Sequence, residues 1–97
     1  MIINERDTQE GTLVSVCDRD VLGESFEDGP VSITVTEEFY GGRRVEEEAV
    51  VEALSQAHVA NIVGERSVAL AIEYGFVEEE NVLDIGPTRH AQVLRLE

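Results

Sequence analysis

Three short stretches of this chain hold residues able to do chemistry, and each contains arginine. Phe39, Tyr40, Gly41, Gly42, Arg43 and Arg44 form the first. Paired glycines let a backbone approach a ligand closely, an exposed ring stacks on a base, and guanidinium groups grip phosphate in a bidentate way. The plainer reading is a tight strand-to-helix turn with Phe39 plugging the core, because Gly-Gly is first of all structural punctuation. Gly64, Glu65 and Arg66 form the second stretch. A glycine opening a helix leaves N–H groups that suit an anion, and Arg66 adds charge in the first turn. Against this, Glu65 repels an anion, Arg66 has carboxylates of the first helix to pair with, and the GxxxxGK spacing of a phosphate loop is missing. Arg89 and His90 form the third, on a turn near the end of the chain. They join Arg43 and Arg44 only if the chain ends lie beside the helices, and a solvated turn is the plainer account.

The inventory for catalysis is thin. Cys17 is followed by Asp18, and an acidic neighbour raises a thiol's pKa, which works against nucleophilic use. His58 and His90 are the two histidines, without the Cys/His or His/His spacing of a metal site. Nothing in the sequence brings His58 to Glu65 as an acid/base pair. No catalytic residue, metal or cofactor is implied.

These residues must be positioned by a chain of 97 residues, enough for a single domain spanning 1–97 with one core. The charge balance is its most informative bulk property: 21 Asp and Glu against 7 cations, all arginine, for a net charge of −14. The acids run from Glu5 to Glu97, an acidic coat over the whole surface. Such a coat costs stability by self-repulsion, and molar salt, with a screening length of about 3 Å, removes most of that cost. The pattern resembles proteins of salt-accumulating archaea, so the acidity reports the solvent rather than a partner. One cysteine excludes an internal disulfide and fits a reducing cytoplasm. MIINERDT has no signal-peptide pattern, and no apolar run approaches the ~20 residues of a membrane helix.

Apolar periodicity sets the expected elements. Met1 to Arg6 and Thr12 to Asp18 read as a hairpin around Gln9, Glu10 and Gly11. Asp18 to Gly23 reads as an irregular turn and Glu24 to Pro30 as a loop with Phe26 inward. Val31 to Thr36 alternates as a half-buried strand. A helix over Glu46 to Ala57 presents Ala49, Val50, Ala53, Leu54 and Ala57 as one stripe. HVANIVG then reads as a connection, with Asn61 holding a sharp turn. A second helix, Glu65 to Tyr74, buries Val68, Ala69, Ala71 and Ile72, and Gly75 stops it with Phe76 folding back on Ala71 or Ile72. Ala57 to Gly75 is the stretch best suited to burial from end to end. Val77 to Asn81 is an acidic connection. Val82 to Ile85 and Ala91 to Leu96 close the chain as a hairpin around GPTRH. The class is α+β, with about five strands and two central helices in the order β-β-β-α-α-β-β.

The run VSVCD, then EEFYGG, ANIVGER, LAIEYG, ENVLDIG and HAQVLRL resembles a small archaeal family known only as a domain of unknown function. The resemblance covers nearly the whole chain. It implies one compact, cytoplasmic α/β domain, an uncharacterised protein with no assigned activity and with a tilt towards translation. The acidic, lysine-free composition implies a halophilic member.

The expected function is a non-catalytic binding module for RNA or a ribosome-associated partner, with Tyr40, Gly41, Gly42, Arg43, Arg44, Asn61, Gly64, Arg66, Arg89 and His90 as candidate contacts. The alternatives are a small-anion or metabolite enzyme using the Gly64 helix start, with Glu65 or His58 as acid/base, and a protein-protein adaptor. If the coat is an adaptation to brine, the melting temperature rises as potassium chloride is added to dilute buffer. A melting temperature indifferent to salt removes that premise.

Overall fold

The computed structural model describes residues 1–95. Its centre is a six-stranded sheet in the order β5-β1-β2-β6-β8-β7, formed by β1 (Ile2–Thr8), β2 (Gly11–Cys17), β5 (Arg43–Arg44), β6 (Val59–Val63), β7 (Leu83–Ile85) and β8 (Thr88–Leu94). The middle pair, β2 and β6, is parallel, with Val14 opposite Ala60 and Val16 opposite Ile62; the other pairings are antiparallel. A separate hairpin joins β3 (Ser25–Asp28) to β4 (Val31–Thr34). The helices are α1 (Glu37–Tyr40), α2 (Glu47–Gln56) and α3 (Glu65–Glu73).

Each face of the sheet has its own apolar cluster. On one side Val14, Val16, Ala60, Ile62, Ala91 and Val93 pack against Val50, Leu54, Val68, Leu70 and Ala71 of α2 and α3. On the other, Ile2, Cys17 and Val63 pack against Val21, Val35 and Tyr40, with Phe26, Ile33 and Phe39 at the margin. Arg6 fastens α1 to this second face by donating to the carbonyls of Glu38 and Phe39, with its guanidinium 5.2 Å from the Phe39 ring centre. Asn4 adds a bond to the Gly41 carbonyl.

The α+β class and the outer elements agree with the sequence reading. Gly75 has φ +78°, and the N–H groups of Gly75 and Phe76 donate to the carbonyls of Ile72 and Ala71, the paired bonds of a glycine-ended helix. The order β-β-β-α-α-β-β needs correction. HVANIVG holds β6, a strand between the two long helices, and Asn61 sits within it rather than at a turn. The burial of β6 does alternate, with Ala60 and Ile62 buried and Val59 and Asn61 half-buried, but apolar residues stand on both of its faces, so the residue types carry no period-2 signal. The loop Glu24 to Pro30 contains β3, whose partner is the expected third strand. EEFYGGRR is a single helical turn and a two-residue edge strand. The closing hairpin is tighter than expected, with Thr88, Arg89 and His90 paired in β8. In α3 the buried positions are Ser67, Val68, Leu70 and Ala71, while Ala69 faces solvent. The expected strand end at Leu96 lies outside the described residues.

One contact ties the parallel pair to α3. Asp18, just past β2 and 7% exposed, accepts from the backbone N–H of Arg66 at 3.0 Å and of Ser67 at 2.8 Å, and from the Ser67 hydroxyl at 2.6 Å. A carboxylate from a neighbouring strand thus does the work of an N-cap side chain, where the helix dipole favours negative charge. Gly64 makes room for it: its φ is +117°, and a Cβ there would collide with the Asp18 carboxylate. Gly64→Ala is expected to cost about 3 kcal/mol, strain and lost cap together, and Asp18→Ala about 2 kcal/mol, since the Ser67 hydroxyl is left buried without an acceptor. Urea titrations in concentrated salt measure both.

Candidate functional site

A cleft of about 1030 Å³ opens at the carboxyl ends of β2 and β6, lined by Met1, Asp18, Arg19, Asp20, Arg44, Val45, Glu46, Glu48, Ala49 and Arg66. Ligands in open α/β sheets sit in this position relative to parallel strands. The positioning elements can be named one by one. Arg19 and Asp20 lie on the 3-10 turn that follows Asp18. Arg44 ends β5, held against β1 opposite Ile2. Glu46 and Glu48 come from the start of α2, and Arg66 from the first turn of α3, placed by the Asp18 cap.

The seven arginines divide cleanly. Arg43 pairs with Glu5 at 2.8 Å, and Arg89 with Asp84 at 2.8 Å and with Glu79. Arg6 donates to the end of α1, and Arg95 to the Ser55 carbonyl at 2.7 Å. Arg19, Arg44 and Arg66 make no side-chain hydrogen bond or ion pair among the described residues, and all three line the cleft. A guanidinium without a partner keeps its fork of donors available for a planar or tetrahedral anion. Asp20, Glu46 and Glu48 likewise have no side-chain partner among the described residues, so the cleft offers acceptors beside its donors.

The structure brings together only part of the set expected from sequence. Arg44 and Arg66 share the cleft. Arg43 points to Glu5, and Arg89 lies across the sheet, because β5 and β7 are opposite edges with β8 next to β7. Tyr40 is 4% exposed, packed in the second apolar cluster and edge-on to Phe39. Gly41 and Gly42 do permit a close approach, but to the chain's own backbone: a Cβ would strike the Glu37 carbonyl from Gly41 and the Ile3 carbonyl from Gly42. Asn61 pairs in register with Ser15 and Gln92, and His90 with Val63 and Leu83, and neither lines the cleft. Gly64 does open a helix, and the first-turn N–H groups of Arg66 and Ser67 are already taken by Asp18. His58 precedes β6 and Glu65 follows it, roughly 17 Å of strand apart. His58 uses Nδ1 to accept from the Thr12 N–H at 3.1 Å. Among the described residues no group of three or more His, Cys, Asp and Glu is gathered to hold a metal. Among the described residues no helix is long and apolar enough to cross a membrane.

Sequence reasoning passed over Asp18, Arg19, Asp20, Glu46 and Glu48 as site residues. The available signal was an Asp-Arg pair ending an apolar strand.

The fold and its cleft define a small α+β domain with a mixed sheet and an arginine-bearing recess at the end of its parallel pair. The chain belongs to the family described as protein of unknown function (DUF424), which matches residues 5–96. Its fold is that of an uncharacterized conserved protein from Methanopyrus kandleri seen in a crystal structure, with a TM-score of 0.78 over 99% of this chain and 93% of that one, at 22% identity. No curated protein sequence matches.

Burial pushes the Cys17 thiol up to about 11, helped by the adjacent Asp18, and pushes the Tyr40 hydroxyl up to about 12, helped by Cys17. Both groups hold their protons more tightly when folded, so their contribution is complete below the unfolded values of 9.0 and 10.0 and is lost above them. Stability is expected to fall from pH 9 upward, by roughly 2 to 3 kcal/mol from Cys17 alone by pH 11, and Cys17→Ala should flatten that first limb. Burial lowers His90 below 6.5, so its neutral form stabilises above that pH and the benefit is lost as pH falls below it. Denaturant midpoints across pH, for the wild type, Cys17→Ala and His90→Gln, separate the two limbs.

Proposed function

We propose that the protein is a non-catalytic, cytoplasmic binding module for RNA or a ribonucleoprotein, and that it takes phosphate between Arg19, Arg44 and Arg66. The observation that carries this reading is the division of the arginines: four are engaged by the fold, and the three without a partner among the described residues line one recess. In a chain of net charge −14, guanidinium groups kept out of ion pairs are best accounted for by a ligand that supplies the counter-charge. The acidic coat supports a brine setting, where long-range attraction is screened and short, desolvated arginine contacts retain their strength.

The enzyme alternative loses support because Asp18 occupies the helix start. The adaptor alternative asks for a contiguous apolar patch, and the large exposed apolar residues are separated: Tyr74 follows α3, Leu83 of β7 pairs with His90, and Leu94 lies four residues further along β8, roughly 13 Å away.

The test is recovery of RNA on the immobilised protein at molar potassium chloride. Each of Arg19→Ala, Arg44→Ala and Arg66→Ala should weaken retention by about tenfold, the worth of one charge-assisted bond, while Arg43→Ala leaves it unchanged. Absence of RNA, or equal loss from the Arg43 variant, overturns the assignment.

A further inference from the structure

We infer that the cleft receives a phosphorylated end of an RNA strand rather than an internal stretch, an inference that rests on the RNA reading above. The chain has no lysine, and outside the cleft every arginine among the described residues is engaged by the fold. A strand threaded through would carry its flanking phosphates over a carboxylate-covered surface on both sides, with no cation to receive them. A strand that stops in the cleft meets that repulsion on one side only.

The chemistry of the lining points the same way. An internal phosphodiester has one negative charge and two free oxygens, whereas a terminal monoester has nearly two charges at neutral pH and three strong acceptor oxygens. Three guanidinium groups suit the monoester. Asp20, Glu46 and Glu48 are acceptors only when ionised, so they repel a bare anion and need hydroxyl or amino donors within a nucleotide's reach of the phosphate. A ribose hydroxyl and a base amine supply such donors, as they do where carboxylates hold ribose in nucleotide sites. A recess of about 1030 Å³ is large enough for a terminal nucleotide together with part of its neighbour.

The experiment is fluorescence anisotropy at molar potassium chloride with one short single-stranded RNA, labelled on an internal base. It is prepared with a 5′-phosphate, with a 3′-phosphate, with hydroxyls at both ends, and as a closed circle. One phosphorylated form should bind at least about tenfold tighter than the hydroxyl-ended and circular forms, and Arg66→Ala should erase that preference while Arg43→Ala keeps it. The preferred form identifies which end is read. In the same assay Glu46→Gln with Glu48→Gln should weaken the RNA while strengthening competition by inorganic phosphate, a crossing that misfolding would not produce. Equal binding of the circle and the phosphorylated strands overturns the end-specific inference and leaves the RNA reading standing. Binding of none of the four overturns both.

Discussion

The Asp18 carboxylate is the interaction on which the arrangement turns. It leaves solvent to sit between the end of β2 and the start of α3, and burial of a charge is tolerable only with several hydrogen bonds. It receives three, all from Arg66 and Ser67. Because two of those donors are orphan N–H groups of a helix start and the third is the Ser67 hydroxyl, one side chain both satisfies the helix and fixes its position against the neighbouring strand. Gly64 is the condition for this, since any side chain there would occupy the space of the carboxylate. Arg19 and Arg66 thereby come to line one cleft although they lie far apart in sequence.

The distribution of charge follows a second constraint. Seven arginines serve a surface with three times as many acids, and surface ion pairs are worth little in stability, less still in salt. Edge strands and turns nevertheless hold Arg43 and Arg89 in pairs, and α1 is fastened by Arg6. Those uses are local: each joins segments already adjacent in the sheet or packed on it. The cleft arginines come from a 3-10 turn, an edge strand and a helix start, elements that converge only where the sheet ends.

The two faces of the sheet divide the labour between stability and placement. The α2 and α3 face supplies the larger apolar cluster, built from the strictly spaced Val50, Ala53 and Leu54 and from both central strands. The opposite face carries α1 and the β3–β4 hairpin over a smaller cluster, where Cys17 and Tyr40 are withdrawn from water. That withdrawal explains the raised pKa of both groups and gives neither of them access to a ligand.

Composition, the acidic coat, the α+β class, the apolar stripe of α2, the Gly75 stop and the alternation from Val31 to Val35 were all legible from residue order, because each depends on neighbours a few positions away. The central strand β6 was hidden because apolar residues on both of its faces erase the alternation of residue types, and β3 because its exposed acids resemble a loop. The site was legible only in part. Arg44 and Arg66 stand out by type, while the engagement of Arg43 by Glu5 and of the helix start by Asp18 depends on pairings between distant segments. Sequence determines which groups exist and which local elements form; tertiary structure alone decides which guanidinium groups are spent on the fold, because a counter-charge brought from tens of residues away leaves no trace in local spacing.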